Sequence, residues 1–144
     1  MIVNNKIVLI GGFSEMIDLC KDLNYDQILV IDRMSAERGT VYVGDDKSVK
    51  ESIFNYSKFD FCITPDTPNV REELYQQYNV YNLYFPPLIS KGAKVSESTK
   101  IGIGSVIQYG SYLSSDSYIG AFVKINVNSC IMHDVTIGDY STLA

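Results

Sequence analysis

Between residues 6 and 84, short apolar runs alternate with stretches of helical spacing. The runs cover 6–10, 27–31, 40–43, 59–63 and 80–84 and are rich in Ile, Val, Leu, Phe and Tyr. Three segments between them carry apolar residues three and four apart. These are 14–23 (Met16, Ile17, Leu19, Cys20, Leu23), 47–56 (Val49, Ile53, Phe54) and 67–78 (Val70, Leu74, Tyr75, Tyr78). Strands alternating with helices predict βαβ units and a parallel sheet covered on both faces. The expectation is a small Rossmann-like α/β domain over 1–85.

After Pro86-Pro87 the pattern changes. Every sixth position from Ile89 is aliphatic: Val95, Ile101, Ile107, Leu113, Ile119, Ile125, Ile131, Ile137 and Leu143 follow without a break. Four residues after each stands a small or β-branched residue, from Ala93 through Ser105 and Ser117 to Ser141. A six-residue period fits neither an α-helix nor a free-standing sheet. It fits a solenoid whose flat sides are each one short strand plus one corner. The aliphatic residue points inward and the small residue occupies the tight corner. Burying one Ile or Leu contributes about 1.5–3 kcal/mol. A column of them outweighs the poor local propensity of a Ser- and Gly-rich sequence. The expectation for 86–144 is therefore an all-β parallel β-helix. A β-sandwich would show period two and irregular turns.

Composition narrows the function classes. The net charge of −5, without a basic run, argues against nucleic acid as a partner. No apolar stretch is long enough to span a membrane, and MIVNNKIVLIGG has none of the features of a secretory leader. Cys20, Cys62 and Cys130 are odd in number and far apart, which argues against a disulfide framework or a zinc site. Reduced, buried thiols in a cytoplasmic protein are the expectation, and with one histidine no metal site is expected.

The stretch IGIGSVIQYGSYLSSDSYIGAFVKINVNSCIMHDVTIGDYS, preceded by a βαβ pattern, resembles the hexapeptide-repeat sugar O-/N-acyltransferases of the NeuD and PglD type. NVNSCIMHDVTIGD, residues 126–139, is the most specific part. The resemblance implies a left-handed β-helix with three hexads per 18-residue coil, a homotrimer, and active sites between neighbouring β-helices. It implies acetyl-CoA as co-substrate. The acceptor would be an amino or hydroxyl group of a nucleotide-linked or sialic-acid-like sugar in surface-glycan biosynthesis. The N-terminal domain would hold the nucleotide.

His133, the sole histidine, lies two positions after the inward Ile131 and so falls outside the core column. The family places the general base here, with the next acidic residue, Asp134, orienting it. Imidazole suits the task because its ordinary pKa of about 6.5 lies near working pH. On the residues alone, both are equally readable as exposed corner residues. Cys130 is not required as a nucleophile, because a thioester is already activated. Asn126 and Asn128 read either as corner residues tolerating positive φ or as substrate contacts.

In the N-terminal half, Gly11 and Gly12 follow the first strand and precede a helix, where backbone amides hold phosphate. Asp32 and Arg33 end the second strand, and Thr64 ends the fourth. All five are candidate substrate-binding residues, each also readable as a turn or polar strand end. The family's turn is of the type GxxGHG; this chain has GGFSEM, with Ser14 and Glu15 at the later Gly and His positions. An acidic Glu15 facing a pyrophosphate would repel it. The repeat runs unbroken to Leu143 and the family has further coils, so a truncated or naturally short chain with weak or absent activity is expected. Two other functions compete: a non-catalytic trimer binding a nucleotide or partner, and a nucleotide-sugar pyrophosphorylase. The latter normally has a far larger nucleotide domain with basic phosphate motifs.

Overall fold

A computed structural model of the protein describes residues 5–33 and 40–144; residues 1–4, part of the segment read as lacking leader features, lie outside them. The first half contains β1 (Lys6–Ile10), α1 (Ser14–Asp22), β2 (Gln27–Ile31), β3 (Val41–Gly44), β4 (Asp60–Ile63) and α2 (Pro68–Tyr78). The four strands form one parallel sheet in the order β3-β2-β1-β4. KIVLI and QILVI are almost wholly apolar because both faces of this sheet are buried. Ile7, Leu9, Ile28 and Val30 pack on one side against Met16, Ile17 and Cys20 of α1. Val8, Ile10, Leu29 and Ile31 pack on the other against Val49, Ile53 and Tyr78. Helix α1 stops at Asn24, which takes the left-handed conformation (φ 63°) that asparagine tolerates at helix ends. Helix α2 starts with Pro68, whose missing N–H costs nothing there.

Two sequence expectations are corrected. Residues 80–84 form no strand: a 3-10 turn covers Asn79–Tyr81, Asn82 is left-handed (φ 54°), and only Tyr84 bridges to the sheet, beside Asp60. Asn82 breaks the extended run, and Val80 is left exposed. The helix expected over 47–56 is a series of turns ending in the 3-10 segment Ile53–Tyr56. Val49 and Ile53 are buried as their spacing implies, but Ser48 and Ser52 hydroxyls bond the backbone locally and compete with a regular helix.

The second half is a stack of two-residue strands: β5 (Leu88–Ile89), β6 (Lys94–Val95), β7 (Lys100–Ile101), β8 (Val106–Ile107), β9 (Tyr112–Leu113), β10 (Tyr118–Ile119), β11 (Lys124–Ile125), β12 (Cys130–Ile131), β13 (Thr136–Ile137) and β14 (Thr142–Leu143). They make three parallel sheets, β14-β11-β8-β5, β12-β9-β6 and β13-β10-β7. Each strand pairs with the one three hexads away, as Lys100 with Tyr118 and Tyr118 with Thr136. This is the coil length that the family resemblance implied, and the stacking is consistent with a left-handed β-helix. The aliphatic column fills the interior, with Ile107, Leu113, Ile119 and Ile125 fully buried.

The corners hold two features that periodicity alone does not reveal. From Gly104 onward one residue per hexad is left-handed: Gly104, Gly110, Asp116, Phe122, Asn128, Asp134 and Tyr140. Asn128 therefore fits the corner reading, whereas Asn126 lies outside that column. The small column also links coils by its hydroxyls. Ser105 Oγ donates to Gly120 O (2.7 Å) and accepts from the Val123 N–H (3.0 Å) of the next coil. Ser111 and Ser117 repeat the arrangement toward Asn126, Ser129, Met132 and Val135. Gly102 is required for close stacking, since a Cβ there would lie 2.5 Å from Gly120 O.

The coils complete the N-terminal core. Leu88 and Val106, on the outer face of the β5 sheet, join the α1 side, while Phe122 joins the α2 side. The Arg71 guanidinium, 1% exposed, secures the junction. Its N–H groups donate to carbonyls of Pro65 and Asp66 and, across the junction, of Phe122, Tyr140 and Ser141. Tyr75 and Phe122 rings meet at 4.3 Å, and Tyr140 stacks on Phe122 at 5.6 Å.

Candidate functional site

The carboxyl ends of β1, β2 and β4 open into a crevice of about 320 Å³, lined by Gly11, Phe13, Asp32, Arg33, Asp46 and Pro65 among others. This is the end at which parallel α/β sheets bind ligands. Gly11 turns the chain at φ 109°, and a Cβ there would fall 2.2 Å from Thr64 Oγ1. Gly12 donates its N–H to Asp32 Oδ2 (2.8 Å), and the other carboxylate oxygen of Asp32 accepts from the Arg33 N–H. The first turn and the end of β2 are thus tied together.

Of the five candidates from sequence, Gly11, Asp32 and Arg33 line the crevice and Gly12 is bonded to its wall. Thr64 does not line it. It is fully buried, and its hydroxyl donates toward Ile10 O (2.9 Å) and Gly11 O (2.8 Å). Its position makes it a support of the glycine turn and not a surface for ligand. Glu15 shares the Lys124 ammonium with Asp66, its Oε1 lying 3.5 Å from Lys124 Nζ. A second groove of about 550 Å³ shares Arg33 and Asp46 with the crevice and adds Lys47 and Lys50. Its cations offset the Asp45 and Asp46 carboxylates.

On the coils, His133 and Asp134 form the turn between β12 and β13. His133 Nδ1 lies 2.6 Å from Asp134 Oδ2, and both side chains are exposed, at 67% and 71%. Asp134 is a left-handed corner residue (φ 57°), with its N–H donated to Ser115 O. That conformation directs its short carboxylate back to the preceding imidazole. This corner joins the β6 and β7 sheets, so it is the one corner of three that does not border the sheet packed on the N-terminal half.

The cysteine expectation is corrected in part. Cys20 and Cys62 are buried, and burial pushes the Cys62 thiol up to about 12. Cys130 is exposed, because it is the outward residue of β12, beside Tyr112. Among the described residues no group of His, Cys, Asp and Glu could hold a metal ion. No helix among them is long and apolar enough to cross a membrane. Lys124 and Arg71 escaped the sequence reading. Lys94 and Lys100 occupy the same outward hexad position as Lys124 and are exposed, so the local pattern carries no signal for its burial.

No family model matches the chain. Over 89 residues it is 27% identical to the GDP-perosamine N-acetyltransferase of Escherichia coli O157:H7; the match covers 62% of the chain and 40% of that relative. The fold is shared with the acetyltransferase domain of PglB from Neisseria gonorrhoeae FA1090, solved with acetyl coenzyme A. The TM-score is 0.88 at 21% identity, over 96% of this chain and 70% of the other. PerB from Caulobacter crescentus, solved with CoA and GDP-perosamine, gives 0.85 at 22% identity, over 95% and 67%. The chain has the fold of these acetyltransferases.

Proposed function

We propose that the protein is an acetyl-CoA-dependent acetyltransferase acting on an amino or hydroxyl group of a nucleotide-linked sugar, with His133 as general base. The observation that carries this reading is the exposed His133–Asp134 pair on a β-helix of the acetyltransferase fold. Asp134 accepts the Nδ1 proton and so fixes the tautomer that leaves Nε2 free to accept another. Nε2 takes the proton of the acceptor nitrogen or oxygen as that atom bonds to the acetyl carbonyl carbon. The carbon–sulfur bond then breaks and the thiolate leaves, taking up the proton that Nε2 had accepted. No covalent enzyme intermediate is required, because a thioester is already activated.

The crevice between Gly11 and Arg33 is the site for the nucleotide, within an N-terminal Rossmann-like unit of residues 1–85; the coils of 86–144 present the base. The His133 corner points away from the chain's own N-terminal half. A crevice-bound sugar is therefore served by His133 of a neighbouring copy, in keeping with a homotrimer. Its substrates make this a cytoplasmic activity in glycan biosynthesis. The curated relative's name supports an amino group as acceptor. The test is thiol release from acetyl-CoA with a panel of UDP- and GDP-linked amino sugars and free sialic acid. Release that depends on one acceptor class is expected; release unaffected by every acceptor would contradict the reading.

A further inference from the structure

We infer that Lys124 tunes the nucleotide crevice for a polyanion, acting from the coils as the counter-charge of Glu15 and Asp66 on the two segments that form its walls. The inference rests on the reading of that crevice as the nucleotide site. Lys124 is the outward residue of β11, yet only 1% exposed. Its ammonium donates to Thr64 O at 2.9 Å and pairs with Asp66 Oδ1 at 2.7 Å and Glu15 Oε1 at 3.5 Å. It also lies 5.8 Å from the centre of the Phe13 ring. Phe13 and Pro65 line the crevice, so one cation holds the Gly11–Glu15 turn and the Thr64–Asp66 turn together.

Burying an ammonium is costly unless it is paired, and removing one partner of a buried pair destabilises chiefly by leaving the other charge buried and unpaired. Glu15 and Asp66 are 52% and 58% exposed, so water solvates them when the lysine is removed. The consequence then falls on the crevice. Two carboxylates beside it lose their counter-charge, and a nucleotide diphosphate entering it meets net repulsion. Lys124 thereby offsets the acidic Glu15 in a turn that otherwise disfavours a polyanion.

The test is calorimetric binding of UDP and GDP to the wild type, Lys124→Met and Lys124→Met/Glu15→Gln, with far-UV circular dichroism as the check of folding. Lys124→Met is expected to raise the Kd about tenfold, and the added Glu15→Gln to recover most of that loss. A purely structural role for Lys124 predicts no such recovery. A folded Lys124→Met variant binding within about twofold of wild type, or a double variant no better than the single one, would overturn the inference while leaving the crevice reading intact. If Lys124→Met does not fold, Glu15→Gln alone decides: about threefold tighter binding is expected, and unchanged binding overturns the inference. A wild type that binds neither nucleotide removes the crevice reading and the inference with it.

Discussion

Arg71 Nε donates to the carbonyl oxygen of Phe122 at 2.9 Å, joining helix α2 to a corner of the coils. Phe122 is a bulky residue in the left-handed region (φ 54°), a conformation that such side chains avoid. Its carbonyl is fixed by the guanidinium and its ring by Tyr75 and Tyr140, so the surroundings hold the corner in place. The N-terminal sheet and the coils share one core through this contact.

Removing the guanidinium leaves carbonyl groups at the junction without donors. Arg71→Met is expected to destabilise the chain by about 3 kcal/mol or more, from several unpaired carbonyls at roughly 1–3 kcal/mol each. Arg71→Lys does not restore the loss, because a point charge cannot reproduce the planar fork. Urea unfolding of the three proteins measures both effects.

Ser105 tests the corner links. It is fully buried and bonds both Gly120 O and the Val123 N–H. Ser105→Ala leaves both groups unpaired and is expected to cost about 1–3 kcal/mol, measured in the same way. Substitution of an exposed outward residue such as Tyr118 should move the unfolding midpoint far less.

Burial raises both buried thiols: Cys62 from its ordinary 9.0 to about 12, with Lys124 and Arg71 opposing the rise, and Cys20 in the same direction. Between pH 9 and 12 the folded chain therefore keeps protons that the unfolded chain has lost. The associated stability is fully present below about pH 9 and falls as pH rises toward 12. Thermal melts at pH 8 and pH 10 should show the decline, and Cys62→Ala should reduce it. Thiol labelling at pH 8 should leave Cys20 and Cys62 unmodified until the chain unfolds.

The coil architecture was legible in the sequence because its signal is a strict period: one aliphatic residue per hexad has a single place to go, and Ile107 to Ile137 occupy it. The first strands were equally legible, since KIVLI and QILVI are continuous apolar runs. Residues 80–84 were misread because Val80, Tyr81, Leu83 and Tyr84 imitate a strand in composition, while the left-handed Asn82 decides the geometry. The His133–Asp134 pair could be named from sequence, but not its hydrogen bond, which depends on the corner conformation of Asp134. Lys124 and Arg71 were out of reach because their partners, Thr64 and Phe122, lie 60 and 51 residues away.

Asp134→Asn preserves the corner, since asparagine also tolerates positive φ, but removes the carboxylate from His133. The expected outcome is about a tenfold loss of kcat with little change in acceptor KM, because the residue acts through His133. Steady-state kinetics with varied acceptor separates the two parameters.

If His133 is the base, its removal stops the chemistry and spares nucleotide binding. The direct measurement is acceptor-dependent thiol release by wild type and His133→Ala, compared at equal nucleotide binding. A fall of about 10²–10⁴-fold in kcat with nucleotide affinity unchanged is expected. A His133→Ala protein that turns over within about twofold of wild type would contradict that role.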